Sequence, residues 1–317
     1  MRKIFLLILS LLIAMPAFAG KTLFKLSDPR GDDHGDGNLV YPLNSELDPG
    51  DLDLVSLTAK ADGDGTLFEA TFAKPVRVPG REVIDGVGTS LETVARFGFY
   101  TMNLDIYIDT DRAAGSGTTS TMPGRRAVID PASAWEKAII LTPRPHEARA
   151  ALKRMMNQAV KEEMRDENST LEEDQAKAMR ERIPIDVEER IFFPTQVRVR
   201  GNKISFFVPG SFLNGAAKDS WSYVVAVSGA NVVQSFDLNR ALGRQPEDES
   251  LMILPVSPGK WSDRFGGGRE NAEIQPPLLD IVVPEGRKQE TILGEFNQRR
   301  KEPVVLPGVV PAEKGKS

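Results

Sequence analysis

The residues best equipped for chemistry lie near the start of the chain. Asp28-Pro29-Arg30-Gly31-Asp32-Asp33-His34-Gly35-Asp36-Gly37 holds four Asp and three Gly in ten positions, and Tyr41-Pro42 follows. Carboxylates this dense repel one another unless water or a cation separates them. Glycine lets the backbone turn tightly and present carbonyl oxygens, and hard oxygen donors in a bent loop are what calcium takes. The loop is not an EF-hand, because Leu39 stands where the bidentate Glu would be. Asp28, Asp32 and Asp33 are the expected ligands, with a carbonyl near Gly35 or Gly37. Asp53, and Asp109 with Asp111 at the end of another strand, are the distant carboxylates expected to complete such a site. Asp62 and Asp64 read as turn formers, since Asp bonds to its own backbone there. The competing reading of the whole loop is a solvated acidic turn.

Three Trp offer flat apolar faces that can stack on a sugar ring. Trp221 precedes the apolar run Tyr223 to Val227 and reads as core. Trp135, in a loop entering a strand, and Trp261, before Gly266-Gly267-Gly268, are the carbohydrate-stacking candidates. Tyr107, on the polar side of its strand, joins them. At least two of Phe97, Phe99 and Tyr100 are expected in the core. The glycine triplet is not between a strand and a helix, so it reads as a rim connection and not a nucleotide loop.

Enzyme chemistry finds little support. With two His and no Cys, a three-His zinc site and a Cys nucleophile are impossible. No nucleophile-elbow sequence accompanies His34 or His146. A glycosidase carboxylate pair stays open only because Asp and Glu are abundant.

The elements that must position these residues are short strands. Met1-Arg2-Lys3, an apolar run from Ile4 to Ala14 and Ala17-Phe18-Ala19 read as a signal peptide over residues 1–19, so the mature chain is expected to be exported to the periplasm, the cell surface or the medium. No second apolar run is long enough to span a membrane. Removing Arg2 and Lys3 from 40 Lys+Arg leaves 38 against 45 Asp+Glu, a formal charge of −7 that disfavours nucleic acid. Residues 52–57 and 67–72 form a hairpin around Asp62-Gly63-Asp64-Gly65. Leu104 to Asp109 alternates, with Leu104, Ile106 and Ile108 facing one way. Further strands are expected at 139–141, 196–200, 203–208, 221–228 and 278–283. Many short strands without crossover helices predict a mainly β antiparallel sandwich. Residues 147–190 break the pattern as a charged helical hairpin inserted in it. Its apolar stripe is Ala148, Leu152, Met155, Ala159 and Met164, and a capping box at Thr170 to Glu173 starts a second helix that ends before Pro184. Residues 298–317 read as a disordered tail.

Several of these segments together resemble one family, the C-terminal binding module of glucodextranase. They are the Asp28 loop with Tyr41-Pro42, Leu104 to Thr110, Trp135-Glu136, Trp221-Ser222-Tyr223, Trp261 with Gly266 to Gly268, Leu279-Asp280, and Gln289 before Ile292-Leu293. The resemblance spans residues 20–297 apart from the hairpin. It implies a DOMON-like β-sandwich, carbohydrate binding or association with the cell surface, and structural calcium. In the multidomain enzymes catalysis belongs to another domain, so it implies no catalytic residues. A polysaccharide or cell-envelope glycan is the expected partner. A protein partner captured by residues 147–190 is the alternative, and a hydrolase or an accessory to one is the second.

Overall fold

The computed structural model describes residues 20–43, 46–84, 88–113, 115–167, 169–232, 251–270 and 273–311. The elements begin with β1 (Thr22–Ser27), β2 (Leu54–Asp62), β3 (Gly65–Phe72), α1 (Leu91–Val94), β4 (Met102–Asp109), β5 (Ala127–Ile129) and β6 (Lys137–Leu141). The helical hairpin α2 (Pro145–Glu163) and α3 (Glu173–Arg190) comes next. Then follow β7 (Ile191–Phe192), β8 (Val197–Arg200), β9 (Lys203–Val208), α4 (Gly210–Leu213), β10 (Ser222–Gly229), β11 (Asp280–Ile281), α5 (Gln289–Gly294) and β12 (Val304–Leu306).

Two sheets face each other, in the orders β1-β2-β3-β9-β8 and β11-β10-β4-β6-β7. The expected hairpin is β2–β3, paired from Leu54↔Phe72 to Asp62↔Gly65, with Gly63 taking a positive φ of 54° in the turn. Leu57, Ala59, Phe68, Phe72, Ile204 and Phe206 of the first sheet meet Leu104, Ile106, Ile108, Tyr223 and Val225 of the second in one core. The mainly β sandwich is therefore present, with a third layer added. The far face of the second sheet, carrying Tyr107, Ala138, Ile140 and Val224, packs on α2, α3, α5 and the parallel ribbon β5–β12.

That third layer changes two expectations. The alternation in β4 predicted one wet face, yet every residue of β4 is buried. The strand lies between β10 and β6, with core on both sides. Its outward Asp105 is tolerated because Arg125, itself buried, grips it through Nε at 2.6 Å and Nη2 at 3.0 Å. The tail is also partly structured. Val304-Val305-Leu306 lies between two prolines and pairs in parallel with Ala127 to Ile129, burying Val304 and Leu306. Val309 then exchanges two hydrogen bonds with Tyr223, at 2.9 and 2.8 Å. The expected disorder over 298–317 is thus corrected for its first part, and residues 312–317 lie outside the described residues.

The hairpin forms where charge density and spacing place it, and only the first part of the expected stripe faces the core. Ala148, Ala151, Leu152 and Val160 of α2 are buried, with Ala176, Ile183 and Val187 of α3; Ala159 and Met164 of the expected stripe are exposed. The cap of α3 sits two residues later than expected, with Glu172 as N-cap and Gln175 closing the box. Pro184 does not end the helix. It lies on the solvent side, Ile183 and Val187 bury around it, and Arg182 reaches past it to Asp186 at 2.7 Å and Glu189 at 2.8 Å. These contacts offset the backbone bond that proline removes. The expected signal peptide, 1–19, lies outside the described residues. Among the described residues no helix is long and apolar enough to cross a membrane.

Candidate functional site

The acidic loop leaves β1 and folds against the end of β11. Asp28 begins it, its N–H donating to the Val55 carbonyl at 3.0 Å. Gly35 has φ 60°, and a side chain there would meet the Leu278 carbonyl at 2.8 Å, so only glycine fits. The loop is clamped by Gln289, the first residue of α5. Its Nε2 donates to the carbonyls of Asp32, Gly35 (3.4 Å) and Leu279 (3.0 Å), and its Oε1 accepts from the Ile281 N–H at 2.6 Å.

This fold gathers Asp28, Asp32 and Asp280, with one carboxylate oxygen from each within 4.8 Å of the others. Asp280 is fully buried, Asp28 is buried and Asp32 is half-buried. Asp280 accepts from the Leu54 N–H through Oδ2 at 2.6 Å, but its Oδ1 has no donor, and neither has Oδ1 of Asp32 or of the neighbouring Asp53. Among the described residues no Lys or Arg forms an ion pair with Asp32 or Asp280. Burial pushes the Asp32 carboxyl up to about 6, helped by the charges of Asp53, Glu290 and Asp33. Burial, then the charges of Asp28 and Asp32, raise Asp280 well above the carboxylate range. Burial also raises Asp53. Crowding and burial of these carboxylates are the physical causes of the raised values, and hard oxygen donors grouped this way are of the type that binds calcium.

The expected ligand set is thus only partly brought together. Asp53 stands beside the trio, its Oδ2 taken by the Gly31 N–H at 2.6 Å. Asp33 is buried but serves structure: it accepts from the Tyr41 hydroxyl and from the Gly50 N–H at 2.7 Å. Asp36 goes to Gln275 at 3.3 Å and Arg269 at 3.8 Å. Asp109 belongs to a second cluster with Asp111 and Glu136, not to the loop. There Asp109 accepts from the N–H groups of Arg112 (2.6 Å) and Asp111 (3.3 Å). Asp111 accepts from Ala113 N–H and Ser116 hydroxyl, and Glu136 from Thr110 and Ser116. That group ties down a turn. Asp280 is the member of the trio that the sequence reading did not single out. Its signal is a single Asp inside the apolar run Leu278 to Val283, since a carboxylate there is buried and needs a partner.

Of the aromatic candidates only Trp261 is open, 57% exposed. Its carbonyl accepts from the Leu43 N–H at 2.8 Å, and the Arg264 guanidinium lies 5.9 Å from its ring. Trp135 is buried: its ring lies 5.6 Å from that of Tyr107 with Arg190 5.0 Å from its centre, and its Nε1 donates to the Ser120 carbonyl at 2.8 Å. Tyr107 is buried too, donating to Asp105 at 3.0 Å and accepting from the Met122 N–H at 2.8 Å. Both were expected on a sugar face; the third layer covers them. Trp221, Phe99 and Tyr100 are buried as expected. The glycine triplet is tied to the acidic segment, with Gly266 and Val40 exchanging hydrogen bonds at 2.9 and 2.8 Å.

A comparison with family models matches residues 23–308 to the C-terminal binding module, SLH-like, of glucodextranase. No curated protein matches the chain.

Proposed function

The chain belongs to the family of the C-terminal, SLH-like binding module of glucodextranase, and on that premise we propose that it is a non-catalytic, exported module that binds polysaccharide or cell-envelope glycan and is stiffened by calcium. Trp261 carries the reading. An indole face left 57% open on an anchored loop has the apolar area and polar edge that a pyranose ring needs, and Arg264 beside it can donate to hydroxyls. Asp28, Asp32 and Asp280 would hold the ion. It would supply the positive charge that the donorless oxygens of Asp32 and Asp280 lack and fasten the loop to β11. Asp33, Asp53 and Gln289 hold the loop in the shape that brings the three together.

Affinity electrophoresis through gels containing α-glucans or envelope polysaccharides tests the reading, with calcium or with chelator. The expected result is retardation by a glycan, lost in Trp261→Ala and kept in folded Trp135→Phe. Equal retardation of wild type and Trp261→Ala, or no retardation by any glycan, contradicts it. Capture of a protein partner is the second reading, resting on Met179 and Ile185, exposed by 48% and 44% on α3. It predicts that Met179→Ser with Ile185→Ser loses the partner and leaves glycan binding intact.

A further inference from the structure

The outer face of the first sheet has no layer packed on it among the described residues. It carries an open cleft of about 750 Å³. Leu67 of β3 and Phe207 of β9 are cross-strand partners on its floor. Gly65 carries no side chain, and a Cβ there would meet the Phe207 ring at 2.5 Å, so that ring lies over the backbone of β3. Both Phe207 and Leu67 remain partly exposed and line the cleft.

The charges on this face are not evenly mixed. Glu69, in the middle, is held by Lys203 at 2.8 Å and Lys60 at 3.5 Å. Asp62 and Asp64 sit at the hairpin tip. At the opposite side β8 is the edge strand, and Arg198 and Arg200 stand opposite Ser205 and Lys203. Both arginines are exposed, and neither makes an ion pair with a described residue. Alternate residues of a strand share a face about 7 Å apart. Two guanidinium forks at that spacing, beside Gln196 and an apolar floor, match a chain of sugar rings bearing anionic groups, because Arg binds carboxylate, sulfate and phosphate through paired N–H donors.

We infer that this face is a second binding surface, specific for an anionic polysaccharide, with Phe207 and Leu67 beneath a sugar ring and Arg198 and Arg200 on its charged substituents. The choice of a sugar chain rests on the function proposed above; the choice of an anionic one rests on this face alone.

The test compares polymers of one backbone: dextran, carboxymethyl-dextran and dextran sulfate, by affinity electrophoresis and titration calorimetry in excess calcium. The wild type is expected to bind the charged polymers at least tenfold more tightly than dextran, and less tightly as salt rises. Arg198→Gln with Arg200→Gln should lose that tenfold preference. Phe207→Ala should weaken binding of the charged polymers. Arg154→Gln with Lys177→Gln, which removes the same charge from the helical hairpin, should change nothing. Trp261→Ala should keep the preference, so failure of the Trp261 site leaves this result readable. Equal affinity for charged and neutral dextran overturns the inference, and the arginines then only guard an open sheet edge. Equal losses in the two double variants also overturn it, as general attraction of a polyanion.

Discussion

Two acidic clusters of three carboxylates each stand among the described residues, and they are wired in opposite ways. In Asp109, Asp111 and Glu136, the backbone of the following turn, Ser116 and Thr110 supply donors to all three residues. In Asp28, Asp32 and Asp280, oxygens of Asp32 and Asp280 are buried with no donor, and no basic side chain closes on those two residues among the described residues. Composition does not separate them. The difference is in what reaches the oxygens: the first cluster is a turn with its donors in place, and the second leaves oxygens of Asp32 and Asp280 without one. A buried carboxylate without donor or counter-charge is costly, so the second cluster gains from a proton or, as proposed above, a cation, and the first does not need one.

The largest expected effect that would break this contrast comes from calcium. At a hundredfold excess over its dissociation constant, one ion adds about 2.7 kcal/mol, or a rise of roughly 4–5 °C in melting temperature for a domain of this size. Differential scanning calorimetry should show that rise in the wild type and in Asp111→Asn, and none in Asp280→Asn.

Asp32→Asn sharpens the contrast by a change of sign. With chelator present, removing one of three crowded charges should make this variant more stable than the wild type. With calcium it should be the less stable of the two. A variant destabilised under both conditions would mean that Asp32 serves folding alone.

The pH dependence follows from the raised carboxyls. The folded-state value of Asp32 is about 6 against an ordinary 3.8, so the metal-free folded protein holds protons that the unfolded chain has released. That contribution is complete below about pH 4 and is lost as pH rises through about 6. Chelated protein should therefore lose stability over this range. Stabilisation by calcium should grow over the same range. Urea melts at fixed pH values read both curves.

The smallest effect belongs to the finished cluster. Asp111→Asn keeps acceptors for Ala113 and Ser116, so its cost should stay within about 1 kcal/mol, with calcium binding unchanged.

How much of this was legible in the sequence follows from the same distinction. Period and turn residues carried β2–β3, β9, β10 and the charged hairpin, because one face of each meets a core that its own pattern announces. The acidic loop was legible from density alone. Its third member was not, since Asp280 comes from a strand 248 positions after Asp32, and only the fold makes them neighbours. Tyr107 and Trp135 misled because the alternation in β4 looks amphipathic. The buried Asp105–Arg125 pair makes the polar side of that strand an interior. Pro184 and the Val304 strand misled for a related reason. Local punctuation marked an end, and tertiary burial of Ile183, Val187, Val304 and Leu306 carried the chain through it.

The most direct measurement is titration calorimetry of calcium into chelator-treated wild type, Asp32→Asn, Asp280→Asn and Asp109→Asn proteins, each shown to be folded. One ion per chain is expected in the wild type and in Asp109→Asn, and no binding in Asp32→Asn and Asp280→Asn. No binding by the wild type, or binding that survives both loop-site substitutions and disappears in Asp109→Asn, would contradict it.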